Sequence, residues 1–179
     1  MSFWWASTTC CDRQNYSYAP EDDGGVRSGV KIPIPRYTDN GDGTVTDKLT
    51  GLIWLKNANC FGQRTWSQAL SDCHSLASGS CGLTDGSVWG DWRLATRDDL
   101  YTLANGNEAV RPDTPRAFEG VQDYSYWSST TLADYTDYAW TVHMYYGSVH
   151  TDVKDYDDRY VWPVRGGNWW FDYSGYLII

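Results

Sequence analysis

The chain has 179 residues, 41% of them hydrophobic and 16% aromatic, and a formal net charge of −9 at pH 7. This length is typical of one domain with one sizeable core. The negative charge argues against binding to a nucleic acid backbone or to an anionic membrane surface. No apolar run approaches the roughly 20 residues that span a bilayer. The N-terminus lacks the basic start and long apolar stretch of a secretory signal, so an exported form would have lost its leader.

The first third of the chain predicts an arm followed by short strands. Residues 1–29 show little periodicity and predict an irregular N-terminal arm before a domain over residues 30–179. Asp42-Gly43 predicts a tight hairpin between two short strands. Thr50-Gly51 predicts a second turn before the apolar strand 52–55.

Three aspartates lie near these turns: Asp39, Asp42 and Asp47. Carboxylates bind calcium when several oxygen ligands converge, but this spacing does not fit an EF-hand loop. We interpret the aspartates as turn-forming residues, whose side chains bond to nearby backbone. A calcium site is the alternative.

Two amphipathic helices are predicted in the middle of the chain. Thr65 can cap the first, in which apolar residues recur at helical spacing over residues 66–77, and Gly79 would end it. The second begins with the TRDD motif at residues 96–99, an acidic variant of the capping box, and ends at Asn105-Gly106. Because helices precede a strand-rich final third, the fold class is α+β.

The five cysteines form no metal site by spacing, since zinc would need close pairs and partner histidines. We expect a disulfide between Cys60 and Cys81, which would enclose the first helix. Cys73 occupies an apolar helical position and is interpreted as a free core thiol. Cys10 and Cys11 have no assignment. No metal and no cofactor are predicted.

The organising stretch is residues 124–165, which alternates as a hairpin with one buried face must. Tyr146-Gly147 is the predicted two-residue turn. The side expected to face the core carries Trp140, Val142, Met144, Val149, Thr151 and Val153. The side expected to face outward carries Thr141, His143, Tyr145, Ser148, His150 and Asp152.

The outward face has the composition of a recognition surface. From Asp123 onward there is no Glu and no Gln, while Tyr, Asp, Ser and Trp are abundant. Tyrosine offers a large amphipathic contact area at low entropic cost, and serine offers adaptable hydrogen bonding. The alternative is an ordinary, partly exposed aromatic sheet.

Six segments resemble, in order, motifs of the Lcl C-terminal domain family: TDNGDGTVTDKLTGLIWLKNANC, TWSQAL, SCGLTDGS, GDWRLATRDDL, YWSSTT and YVWPVRGG. The resemblance extends from about Ser17 to Gly167. It implies a C-type lectin fold with two helices packed on antiparallel sheets. One departure is Ala95, where the family usually has proline, and this affects a turn only.

A second resemblance is to variable proteins of diversity-generating retroelements, some of which have this fold. Adenine-directed mutagenesis of AAY codons yields Tyr, Asp, Ser, His and Asn, but not Glu, Gln, Lys, Met or Trp. The absence of Glu and Gln late in the chain fits that set. The resemblance implies a variable region at about residues 123–176, in which Trp127, Trp140, Met144 and Trp162 would be fixed scaffold positions.

Catalysis is an alternative function. The tail RGGNWW resembles the closing strand of formylglycine-generating enzymes, but these use cysteines late in the chain and none follows Cys81. With the two-residue turn, His143 and His150 would face each other near Asp152, which leaves a Ser-His-Asp or zinc site as a possibility. No serine is marked as an activated nucleophile.

A calcium-dependent sugar lectin is a further alternative, but its Glu-Pro-Asn, Gln-Pro-Asp and Trp-Asn-Asp signatures are absent. We predict a non-enzymatic module of the receptor or adhesin type that binds a protein or glycan on another cell or surface. It would be secreted, displayed on a cell surface or carried on a phage particle. The predicted ligand-binding residues are Tyr124, Tyr126, Tyr135, Asp137, Tyr138, His143, Tyr145, Tyr146, Ser148, His150, Asp152, Asp155, Tyr156 and Asp157.

Overall fold

The computed structural model describes residues 33–104, 117–156 and 158–166. The predicted arm and residues 167–176 of the predicted variable region lie outside them. Two helices and ten strands occupy the described residues, which confirms the α+β class. The elements are β1 Tyr37–Asp39, β2 Thr44–Asp47, β3 Leu52–Leu55, β4 Gln63–Arg64, α1 Trp66–Ser75, β5 Arg93–Leu94, α2 Arg97–Ala104, β6 Ser125–Thr131, β7 Tyr138–His143, β8 Val149–Val153, β9 Arg159–Tyr160 and β10 Pro163–Gly166.

The first sheet has the strand order β1-β2-β3-β10-β5, with antiparallel pairs throughout. Its first two strands form the predicted hairpin. Gly43 in that turn has a φ of 86°, and a Cβ there would collide with the carbonyl oxygen of Gly82. Only glycine combines this φ with so close an approach of two backbones, so the turn also fixes the neighbouring loop.

The aspartates near these turns have partners. Asp47 is buried and forms an ion pair with Arg36 at 2.6 Å. Asp39 pairs with Lys56 at 2.9 Å. The Oδ1 of Asp42 accepts a backbone N–H two residues later at 3.0 Å. Asp39 and Asp47 likewise accept backbone N–H groups two residues later, those of Gly41 and Leu49, both at 2.9 Å. The turn-forming interpretation is therefore confirmed for all three aspartates, two of which also pair with cations.

Both helices begin where the sequence predicts. At α1, the side chain of Gln68 accepts the backbone N–H of Thr65 at 3.1 Å. At α2, Thr96 and Asp99 exchange two hydrogen bonds of 3.0 and 3.1 Å, which is a reciprocal capping box. Each cap satisfies backbone donors that a helix start would otherwise leave unpaired.

The first helix is shorter than predicted. It ends at Ser75, four positions before Gly79, because Leu76 already has an extended backbone with ψ of 131°. The side chain of Leu76 is only 2% exposed and enters the core from this position. Apolar periodicity therefore continued past the true helix end. The predicted end of α2, at Asn105-Gly106, lies outside the described residues.

The second sheet has the order β4-β9-β6-β7-β8. It departs from the expected antiparallel arrangement because β6 and β9 pair in parallel, with Tyr126 opposite Tyr160. The strand β9 has two residues, too few for a periodic signal in the sequence. This pairing places β6 in the interior of the sheet, between β9 and β7.

The hairpin β7–β8 forms, but its turn is longer than predicted. The strands end at His143 and restart at Val149, and Val142 pairs with Val149. A two-residue turn would have paired Val142 with Thr151. The loop closes through hydrogen bonds from His143 N–H to Ser148 O and from Gly147 N–H to His143 O, of 2.9 and 2.8 Å. The register shifts by an even number of residues, so the predicted division into two faces survives.

Both faces of β7 are partly covered, which the prediction of one core face and one outward face did not anticipate. Ala139 and Thr141, on the expected outward side, are fully buried. Ala139 belongs to a small core with Trp127 and the α1 residues Ala69 and Cys73. The expected core side packs against α2. β7 is therefore sandwiched between the two helices.

The main core lies between the sheets and is centred on tryptophans. Trp54, Trp92 and Trp162 are buried, as predicted. Trp66 and Trp140, also expected in the core, are half-buried. For Trp140 the reason is that α2 covers only part of the face on which it lies.

The predicted disulfide between Cys60 and Cys81 is present. Cys73 is a free, buried thiol on α1, which confirms its interpretation as a core residue. Burial raises the pKa of the Cys73 thiol far above its usual range, because the thiolate would lose its hydration. This cysteine is therefore unreactive at neutral pH.

Candidate ligand-binding face

Exposed aromatic side chains concentrate along the β7–β8 hairpin. At its tip, four rings form a cluster that we call the tip cluster: Tyr124, His143, Tyr145 and Tyr146. At its base, Tyr135 and Tyr138 lie in the loop that precedes β7 and at the start of that strand. The exposed large apolar and aromatic side chains of the described hairpin region are all tyrosines.

The rings of the tip cluster contact one another in sequence. Tyr145 and Tyr146 meet edge to face with centroids 4.9 Å apart, and His143 lies 4.8 Å from Tyr146. Tyr124 follows at 6.3 Å from His143. Tyr145 and Tyr146 are 45% and 73% exposed. Ring contacts of this kind restrict the side chains before any ligand arrives, which lowers the entropic cost of binding.

His143 carries an unsatisfied polar atom in this cluster. Its Nδ1 is buried and has no hydrogen-bond partner among the described residues. The nearest carboxylate oxygen is that of Asp123, at 3.8 Å, which is too long for a hydrogen bond. The imidazole therefore keeps a free nitrogen beside exposed tyrosines.

The expected opposition of His143 and His150 is wrong. The longer turn places Thr141 opposite His150, and His150 instead contacts the Ser148 hydroxyl through Nε2 at 3.0 Å. Asp152 is not near a histidine in any described contact. Within the described residues, no group of three or more His, Cys, Asp or Glu side chains converges as a metal site would require. The observed register therefore does not bring His143, His150 and Asp152 together in the way that the two-residue turn predicted.

Asp152 has a structural partner that the sequence analysis missed. Arg159 on β9 donates two hydrogen bonds to its carboxylate, of 2.9 and 3.0 Å, and the Thr141 hydroxyl donates a third at 2.9 Å. The guanidinium of Arg159 also lies 5.7 Å from the ring centroid of Tyr124. Arg159 therefore links the hairpin to the tip cluster. The Asp152 side chain is half-buried, and its carboxylate is hydrogen-bonded to Arg159 and Thr141.

Tyr126, predicted as a ligand-binding residue, is instead fully buried. It lies on β6 in the interior of the sheet and packs against Tyr160 and Trp162 at 5.5 Å. Its hydroxyl accepts the backbone N–H of Gln122 at 2.8 Å. Burial raises its pKa, since a buried phenolate would lose its hydration. Composition alone could not separate this tyrosine from its exposed neighbours.

At the base of the hairpin lies a depression of about 280 Å³, which we call the tyrosine depression. Tyr135 and Tyr138 meet edge to face at 6.2 Å on its wall and are 66% and 36% exposed. Leu132 and Thr151 complete the lining. Its surface is mostly apolar.

A second depression, of about 390 Å³, lies between α2 and the hairpin, and we call it the tryptophan depression. Trp140 and Val149 line it, and the Arg97 guanidinium lies 5.5 Å from the Trp140 ring centroid. Arg97 also pairs with Asp98 at 2.8 Å, and Tyr101 stands beside them. Trp140 was predicted to lie in the core, and no residue of α2 was among the predicted ligand-binding residues. The sequence pattern does not indicate how much of the sheet α2 covers, so the partial exposure of Trp140 could not be predicted.

Four further predicted residues have definite places. Asp137, Asp155 and Tyr156 are exposed, with Tyr156 at 89%. Ser148 is half-buried in the hairpin loop. Asp157 lies outside the described residues.

Lys154 anchors the end of β8 to the rest of the domain. Its ammonium group lies 3.9 Å from the Trp66 ring centroid and donates hydrogen bonds to Thr131 Oγ1 and Thr136 O, of 2.9 and 2.8 Å. Its backbone N–H donates to Asp137 O at 2.9 Å, and its carbonyl accepts the Trp66 N–H at 3.1 Å. The base of the hairpin is therefore fixed by one residue that is not part of the aromatic surface.

The described residues form an α+β domain in which exposed tyrosines line the hairpin at one edge of the second sheet. The sequence matches the Lcl C-terminal domain family over residues 43–165, and the chain belongs to this family. A comparison with curated proteins found no match. No helix in the described part of the chain is both long and apolar enough to cross a bilayer.

Proposed function

We propose that this domain is a non-enzymatic ligand-binding module of the receptor or adhesin type, built on a C-type lectin fold. The binding face comprises the tip cluster, the tyrosine depression and the tryptophan depression. The observation that carries the proposal is the concentration of exposed, mutually contacting tyrosines along one hairpin. Such residues provide much contact area for little loss of conformational freedom.

The ligand is a protein or a glycan on another cell or surface. Rigid aromatic anchors with a polar rim dominate protein interfaces, and Ser148, His150 and Asp137 supply polar groups around the tyrosines. A single sugar ring would also fit the tyrosine depression, which favours a glycan-binding adhesin as the second candidate. In either case the module acts outside the cell that makes it, or on a phage particle.

The proposal also includes diversification of the binding face by a retroelement. Its support is that Trp127, Met144 and Trp162, which adenine mutagenesis would not produce, are buried, whereas the exposed tyrosines and aspartates of this region are residues that it would produce. Two residues depart from this pattern: Tyr126 is buried, and Trp140, expected to be a fixed scaffold position, is half-buried within the binding face. Sequencing the gene across its source population, with its flanking DNA, tests this. Variation confined to codons with adenines in a template copy would support it, and uniform drift without a template copy would contradict it.

The double variant Tyr145→Ala/Tyr146→Ala tests the binding function. We expect the melting temperature to change by less than about 2 °C, because Tyr146 is 73% exposed and Tyr145 is 45% exposed, and neither belongs to the core. We expect affinity for a ligand found on glycan or cell-surface protein arrays to fall by roughly 30-fold or more, as for an aromatic hot spot.

Trp89→Ala is the matched control, since Trp89 is 76% exposed but lies outside the binding face. It should leave both the melting temperature and the binding unchanged. Equal loss of binding in both variants, or a large loss of stability in the double variant, would contradict the assignment of the tip cluster.

A further inference from the structure

The strand β8 is the last strand of its sheet within the described residues. Its hydrogen bonds to β7 follow a defined alternation. His143 N–H donates to Ser148 O at one end of the pairing, and Lys154 N–H donates to Asp137 O at the other, both at 2.9 Å. In an antiparallel ladder, hydrogen-bonded and non-hydrogen-bonded pairs alternate.

This alternation fixes the direction of every backbone group on β8. Counting from both ends, His150 and Asp152 direct their N–H and C=O groups toward β7. Val149 and Thr151 therefore direct theirs away from the sheet. Within the described residues, no hydrogen bond reaches these outward groups. The edge offers two donors and two acceptors in the spacing that an extended chain presents.

The two depressions lie beside alternate residues of β8. Thr151 lines the tyrosine depression, and Val149, two positions earlier, lines the tryptophan depression. Alternate side chains of a strand lie about 7 Å apart on one face. A strand added to the edge of β8 would therefore bring its residues i and i+2 to these two depressions.

We propose that the outward edge of β8 binds an extended segment of a protein ligand by strand addition, with alternate side chains in the two depressions. The inference rests on the ligand-binding function proposed above and names the class of ligand. Main-chain hydrogen bonds provide affinity in this mode, and the side-chain depressions provide selectivity. A glycan has no regular series of N–H and C=O groups to match the edge.

The residues that line the two depressions also indicate which side chains the bound segment should carry. The tyrosine depression is lined mainly by Leu132, Tyr135 and Tyr138 and suits an apolar side chain. The tryptophan depression has Arg97 and Asp98 at its rim and suits a side chain with an apolar stem and a polar end. The expected motif is thus apolar at one position and amphipathic two positions away.

The test begins with a library of random peptides of about ten residues, enough for one strand, selected on the full 179-residue chain. Enriched peptides are synthesised, and each backbone nitrogen is N-methylated in turn. We expect roughly tenfold or greater loss of affinity at alternate positions, where the N–H faces β8, and little change between them. This readout needs no change to the protein.

The variant Thr151→Pro tests the backbone pairing by changing the protein instead of the peptide. Proline removes the outward N–H and is tolerated on an edge strand, so we expect roughly tenfold weaker peptide binding with an unchanged fold by circular dichroism. Thr151→Val keeps the N–H and a similar shape, and should bind within about twofold of the parent.

Four results would overturn strand addition by a protein ligand. Affinity that does not alternate along the N-methyl series would exclude the paired backbone. Peptides that are insensitive to the methyl series but are lost in Tyr145→Ala/Tyr146→Ala would place the ligand on the tip cluster and leave the proposed function intact. If no peptide is enriched while a glycan array gives a ligand, strand addition is excluded and the proposed function again stays intact. A dimer in analytical ultracentrifugation that Thr151→Pro dissociates would show that a second copy occupies the edge. Failure of both the peptides and the arrays would count against the proposed function itself.

Discussion

Trp162→Ala is expected to destabilise the domain by about 3–5 kcal/mol, through loss of buried apolar contacts and the cavity left behind. Trp162 is fully buried and meets Trp54 and Phe118 edge to face at 5.6 and 5.1 Å. Its Nε1 donates to Leu55 O at 2.8 Å and so ties β3 to the segment before β10. Urea denaturation followed by tryptophan fluorescence and circular dichroism measures the change.

The matched control for this prediction is again Trp89→Ala, which removes an indole of equal size from an exposed site. It should change the free energy of unfolding by no more than about 0.5 kcal/mol. A loss below about 1 kcal/mol for Trp162→Ala would show that the tryptophan cluster between the sheets does not form the core.

Removal of the disulfide, by Cys60→Ser with Cys81→Ser, is expected to cost about 3 kcal/mol. The bridge joins residues 21 positions apart, and a loop of this length loses about that much free energy of closure in the unfolded chain. The bridge also holds the loop after β3 against the loop that carries Gly82. Urea denaturation of parent and variant under oxidising conditions measures the difference.

A reducing agent provides the control for the disulfide prediction. Dithiothreitol should lower the stability of the parent to that of the double variant and leave the variant unchanged. A parent that is insensitive to full reduction, verified by thiol titration, would show that the bridge contributes nothing to stability.

Local chemistry made most of the fold predictable from sequence. Helix caps and tight turns depend on residues that are adjacent in sequence, so they can be predicted from the sequence alone. Examples are the caps at Thr65 and Thr96 and the turn at Asp42-Gly43. The parallel pairing of Tyr126 with Tyr160 was not predictable in this way, because it joins a two-residue strand to a partner 34 positions away. The loop before Val149 was mispredicted because Tyr146-Gly147 resembles a tight turn, whereas the loop observed places Met144 in the core.

The candidate site was predictable in composition and only partly in position. Alternation correctly grouped the side chains by face, but it could not say what covers each face. Tyr126 was misplaced because β6 is covered on both sides, and Trp140 because α2 leaves it half exposed. Arg159 was missed because its partner Asp152 lies on a strand that is not its neighbour in the sheet.

The anchoring of β8 by Lys154 has a consequence for protein engineering. The hairpin base is fixed through the Trp66 ring, Thr131 Oγ1 and main-chain groups of Thr136 and Asp137, and none of these contacts uses an exposed tyrosine side chain. The exposed tyrosines can therefore be randomised while the strands that present them keep their register. This makes the domain a suitable framework for libraries of artificial binders, provided that Lys154 and Trp66 are left unchanged.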